Sequence, residues 1–146
     1  MNQEELNRLN DQQLIWACVE PAILKARGKD PETKAQVLKQ LGGGQRAVFL
    51  FQVLYGHAQN GISQFFGYIS YLADRLDIWA ALKSAMRYFG DSEMAALIEK
   101  MQQAYASKET PPDELDAQYQ KLVPETVRRI GACIRSNPAE FISFED

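Results

Sequence analysis

The sequence predicts an all-α fold, a single compact multi-helix domain built around a buried central helical hairpin, and three observations carry that reading. Apolar residues recur at helical spacing from Leu14 to Ile134. Helix caps and stops punctuate the runs: Asn10 or Asp11, Asp30-Pro31, Gly42-Gly43-Gly44, Gly90 with Asp91 or Ser92, and Asn137-Pro138. No internal repeat, low-complexity tract or long linker interrupts them. The 146 residues suit one domain spanning 1–146, long enough to bury about two thirds of the surface its unfolded form exposes.

The first helix starts at Asn10 or Asp11 and carries Leu14, Ile15, Cys18, Ala22 and Leu24 inward, with Pro21 bending or restarting it and Gly28 ending it. Asp30-Pro31 joins an N-cap to proline at the first helical position and opens a short segment reaching Leu41. The glycines at 42 to 44 terminate that segment. Between Gln45 and Ala58 apolar residues cover nearly the whole circumference, leaving Gln45, Gln52 and Gln59 as one narrow polar seam at seven-residue spacing. Such a helix belongs at the centre of a core.

Asn60-Gly61 is the turn of the hairpin, since glycine supplies a positive φ and Asn can cap the following helix. Ile62, Phe65, Phe66 and Ile69 then repeat at helical spacing in a helix running to about Tyr71. A break near Asp74 or Asp77 introduces the next, with Ile78, Trp79, Leu82, Met86 and Phe89 inward and Gly90 as its stop. Asp91 or Ser92 caps a helix with Met94, Leu97, Ile98, Met101 and Tyr105 inward and Glu93, Glu99, Lys100 and Gln103 outward. Lys108 to Asp113, with Pro111-Pro112, reads as a loop. Leu115, Tyr119 and Leu122 define a short acidic helix, and Val123, Val127, Ile130 and Ile134 a separate one with Pro124 near its start. Asn137-Pro138 begins a last turn from which Phe141 and Phe144 dock the C-terminus.

Composition narrows the function classes. Apolar residues make up 46% of the chain and charged residues 24%, as in soluble globular proteins and unlike disordered ones. The longest apolar concentration, from Ala47 to Tyr55, falls well short of the roughly 20 residues of a membrane span. Glu4 and Glu5 stand where a signal peptide would be basic, so a cytoplasmic location is expected. Cys18 and Cys133 lack metal-knuckle spacing and read as free thiols. His57 is the sole histidine, without a partner at ligand spacing, so no catalytic residue, metal or other cofactor is expected. The triple glycine lacks the Lys-Ser/Thr ending of a phosphate-binding loop and reads as a turn.

Several of these segments, taken in order, resemble a bacterial family of helical domains named after a DNA-mimic protein. They are Gly44-Gln45-Arg46-Ala47-Val48, the Asn60-Gly61 turn with Gln64-Phe65-Phe66, Ala81-Leu82 with Phe89-Gly90, and Ile134-Arg135-Ser136-Asn137-Pro138-Ala139-Glu140-Phe141. The family's turn is usually Asn-Gly-Gly-Phe, whereas this chain has Asn60-Gly61-Ile62-Ser63; His57 stands where an acid is frequent, and Gly67 where an asparagine is. The resemblance implies a helical fold and, from the named example, carboxylates displayed in place of DNA phosphates so as to occupy a DNA-binding regulator.

Charge gives that expectation a location. The net charge of −3 hides ten basic against eight acidic residues up to position 90, and six against eleven beyond it. Duplex DNA carries one charge per roughly 1.7 Å of axis, so a mimic needs a dense acidic array. The local candidate is Glu109, Asp113, Glu114 and Asp116, joined by Glu125, Glu145 and Asp146; a solvated helix start is the competing reading. A second candidate face pairs Gln64 with Tyr68 and Tyr71, at helical spacing opposite the apolar stripe. The expectation is a non-enzymatic interaction module contacting a protein partner through either surface, without direct nucleic-acid or membrane binding. A DNA mimic is the alternative, and a small-molecule or enzyme site the third reading.

Overall fold

The computed structural model describes residues 2–70 and 77–142. Eight α-helices and one short 3-10 turn supply the regular structure, and no strand occurs among the described residues. The order is α1 (Gln3–Asn7), α2 (Asp11–Ala26), α3 (Pro31–Gln40), α4 (Gly43–Ala58), α5 (Ile62–Ile69), α6 (Ile78–Tyr88), α7 (Ser92–Ser107) and α8 (Asp113–Ser136). The 3-10 turn covers Pro138–Glu140.

Local chemistry accounts for most of the boundaries. Asn10 caps α2 by accepting from the Gln13 N–H at 2.8 Å while the Gln13 side chain accepts from the Asn10 N–H, a reciprocal capping box. Asp30 accepts from the Thr33 N–H at the start of α3, with Pro31 in the first helical position. Asp77 and Asp91 cap α6 and α7 in the same way. Gly28 and Gly90 adopt the positive φ expected of stops.

Helix α4 lies at the centre. It packs against α2, α3, α5 and α6, and the helices α2, α4, α6, α7 and α8 touch in that cyclic order, α8 closing back onto α2. Val48, Phe51 and Leu54 of α4 are fully buried, as are Phe65 and Ile69 of α5, so the central hairpin is present with α5 laid on α4. Phe66 is half-buried, edge-on to Trp79 and Tyr105.

The buried Asp91 carboxylate joins two elements. Its second oxygen accepts from the Thr126 hydroxyl at 2.6 Å, tying the start of α7 to the middle of α8. Phe141 is buried and lies over Gly44, where a Cβ would stand 2.9 Å from the Phe141 ring and 3.0 Å from the Glu140 carbonyl oxygen.

Four sequence expectations are corrected, and one element is added. The acidic helix and its successor are one continuous helix, α8, with Pro124 inside it. Pro124 is solvent-facing, and the apolar stripe of Leu115, Tyr119, Val123, Val127, Ile130 and Ile134 runs past it unbroken. The glycines at 43 and 44 form the first turn of α4 rather than a spacer, because the docked C-terminal segment requires a residue without Cβ at 44. Leu24 points to solvent, 60% exposed, since α2 buries the Leu14/Ile15/Cys18/Ala22 side. Pro21 does not restart the helix, since α2 runs on through it from Asp11 to Ala26. Helix α1, with its Asn2/Glu5 capping box, adds an element that the apolar periodicity did not reveal. The expected break at Asp74 and the docking of Phe144 lie outside the described residues.

Candidate functional site

Two surfaces carry the sequence-predicted site residues, one at the junction of α7 and α8 and one along α5. The first is the junction of α7 and α8. Helix α7 ends at Ser107, Lys108 takes a left-handed conformation with φ 60°, and the chain passes Pro111 and Pro112 into α8. Proline at 112 cannot cap the helix through a side chain, so acids in the first turn, Asp113, Glu114 and Asp116, complement the free N–H groups and the positive dipole end. Glu109, Asp113 and Glu114 are exposed, and Glu114 accepts a hydrogen bond from Gln118 at 3.2 Å. None of the three is ion-paired among the described residues.

Asp116 has a second role. One of its carboxylate oxygens accepts the Ile62 N–H at 2.8 Å across 54 residues. Gly61 holds φ 121° and has no side chain to cap α5, so α8 provides that cap from outside. The Asn60-Gly61 turn thus supplies the positive φ expected of it, while capping falls to Asp116 instead of Asn60. Glu125, the other described acid of the set, is ion-paired with Arg128, which holds its carboxyl below the ordinary value. Glu145 and Asp146 lie outside the described residues.

The second surface begins at Tyr68, one turn beyond Gln64 on α5. Gln64 is exposed, but Tyr68 is half-buried and turned onto α4, where its ring stacks on His57 with centroids 3.7 Å apart and planes 13° apart. The Lys34 Nζ of α3 stands 5.4 Å from the Tyr68 centroid. Tyr71 lies outside the described residues. The expected Gln64/Tyr68 face is therefore divided: Gln64 faces solvent, and Tyr68 joins a cleft.

That cleft has a volume of about 330 Å³ and is walled by α2, α3, α4 and α5, with Ile78 at the start of α6. Ile23, Leu38, Phe49 and Val53 give it an apolar lining. Trp16, Arg27, Lys34, Gln52, His57 and Tyr68 add its aromatic, polar and cationic groups. Burial, and then the nearby Lys34 charge, push His57 below its ordinary value, so it is neutral near pH 7. Burial raises the Tyr68 hydroxyl. Trp16, Arg27, Lys34 and Gln52 were not singled out as site residues, because their meeting depends on helix packing. One signal was available: Trp16 falls off the Leu14/Ile15/Cys18 stripe, and it emerges 39% exposed.

Other chemistry is sparse. No group of three His, Cys, Asp or Glu side chains among the described residues could hold a metal ion. Cys18 and Cys133 are free, and burial pushes the Cys18 thiol up to about 12, which keeps it protonated and unreactive. No helix among the described residues is long and apolar enough to cross a membrane.

A family model described as DMP19-like protein matches residues 39–137, more than half of the chain. The chain belongs to the DMP19-like protein family. The DMP19-like match takes in α4 to α8, hence the central hairpin and the acidic junction, and leaves α2 and most of α3 outside it. Neither the curated proteins nor the solved structures yield a match to the chain.

Proposed function

We propose that this chain is a non-enzymatic protein-interaction module that meets a basic partner through the acidic junction of α7 and α8. The observation that carries the reading is the state of the charges there. Asp116 is occupied by the Ile62 N–H, while Glu109 in the connection and Asp113 and Glu114 in the first turn of α8 are exposed and without ion pairs among the described residues. Such carboxylates steer a cationic surface toward the domain and lose little solvation before contact. Other acids are engaged: Asp11 pairs with Arg135, Glu99 with Lys83, and Asp91 with Thr126, while Glu20, Glu32 and Glu93 are exposed but scattered over separate helices.

Family membership favours a sharper version, in which the partner is a DNA-binding regulator and the carboxylates stand in for phosphates. The exposed acids are few beside the charge density of a duplex, so this version requires the partner's own DNA site to be the contact.

Capture from the native cell tests the reading. A tagged chain and its Glu109→Gln/Asp113→Asn/Glu114→Gln variant, which leaves the Asp116 cap intact, are used as baits and their captured proteins identified by mass spectrometry. A partner retained by the first and depleted with the second supports the proposal; equal recovery of every partner contradicts it. If the partner binds DNA, displacement of the chain by excess duplex supports mimicry, and simultaneous binding rejects it.

A further inference from the structure

The cleft beneath Trp16 is unrelated to the acidic junction and has the opposite electrostatics. Among the described residues, Arg27 and Lys34 are the charged side chains that line it, both cationic, and no carboxylate does. Neither cation is in an ion pair among the described residues, although Lys34 lies over the Tyr68 ring. Asp30, the nearest acid in sequence to Arg27, accepts the Thr33 N–H at the start of α3, and Glu32, the nearest to Lys34, is exposed. The remaining polar groups are neutral: the Gln52 amide, the Tyr68 hydroxyl and His57.

The apolar part is equally defined. Ile23, Leu38, Phe49 and Val53 form a surface without hydrogen-bonding side chains, and Trp16 offers an exposed aromatic face beside it. A volume of about 330 Å³ sits at the lower end of the range that takes drug-sized molecules, roughly 300 to 1,000 Å³. It matches a ligand the size of a fused ring system or a medium alkyl chain. We propose that this cleft binds a small apolar carboxylate, its ring or chain against Trp16 and Phe49 and its carboxylate between Lys34 and Arg27.

The site goes beyond the family's match. Trp16, Arg27 and Lys34, which supply the aromatic lip and both positive charges, precede residue 39, while His57 and Tyr68 lie within the matched segment. The groups that would select an anion thus precede the segment matched by the family model.

The test is calorimetric titration of the full chain with 1-naphthaleneacetate and, separately, with its neutral isostere 1-naphthaleneacetamide. The carboxylate should bind about tenfold or more tightly than the amide, the discrimination expected of one charge-assisted hydrogen bond. It should also quench the fluorescence of Trp16, a response lost in Trp16→Phe, since Trp79 is buried. Arg27→Met/Lys34→Met should bind both compounds alike while keeping the wild-type circular dichroism and melting midpoint, and Lys34→Arg should keep the preference. Equal affinity for acid and amide, an acid preference surviving in the double Met variant, or no saturable binding of either compound would overturn the proposal. Each result stands apart from the partner capture, which uses other residues.

Discussion

At the residue scale, two residues do more than their sequence neighbours indicate. Asp116 looked like one acid of a solvated run, yet it is the external cap of α5. Replacing it with Ala should destabilise the domain by about 1 to 2 kcal/mol, and with Asn by much less because the amide oxygen still accepts. Urea denaturation of both variants measures this; equal losses would mean that the Ile62 N–H does not depend on the acceptor. Gly44 is the second case. Gly44→Ala drives a methyl against the Phe141 ring and the Glu140 backbone and should cost about 1 to 3 kcal/mol despite alanine's better helix propensity. A raised melting midpoint would contradict the close docking of the C-terminal segment.

His57 makes a prediction of a different kind, set by pH. Its folded-state value lies below the ordinary 6.5, so the unfolded chain holds more protons between those two values. The contribution to stability is complete above about 6.5 and is lost as pH falls toward the depressed folded value. Denaturation midpoints followed from about pH 7.5 down to about pH 5.5 should therefore decline in the wild type and decline less in His57→Gln. Parallel curves would show that burial and the Lys34 charge do not disfavour the imidazolium.

At the scale of elements, the sequence reveals what periodicity and caps encode and misses what packing decides. The caps at Asn10, Asp30 and Asp91, the core faces of α6 and α7, and the hairpin across Gly61 were legible because each depends on residues within a few turns. Pro124 misled because a proline in isolation argues for a helix break, whereas the continuous stripe from Leu115 to Ile134, buried against α2 and α7, holds the helix together through it. The acidic candidate was visible as composition, but the division between exposed Asp113 and Glu114 and the bonded Asp116 depends on α5 lying beside α8. The Tyr68 cleft was hidden for the same reason: its walls come from five helices, and no local pattern places Lys34 over a ring 34 positions later.

At the scale of the molecule, the ring of α2, α4, α6, α7 and α8 around one core separates two surfaces of opposite character. The acidic junction faces outward from the family-matched part, and the cationic aromatic cleft is completed by helices ahead of it. A chain of net charge −3 thus offers a local anionic surface without being acidic throughout. The central claim is that this local surface makes the productive contact with a basic protein. Once the partner is purified, the most direct measurement is its dissociation constant for the wild-type chain and for Glu109→Gln/Asp113→Asn/Glu114→Gln, across a series of salt concentrations. The account predicts a wild-type affinity that weakens steeply with salt and a variant that binds more weakly with a flatter dependence. Superimposable salt curves for the two chains would contradict it.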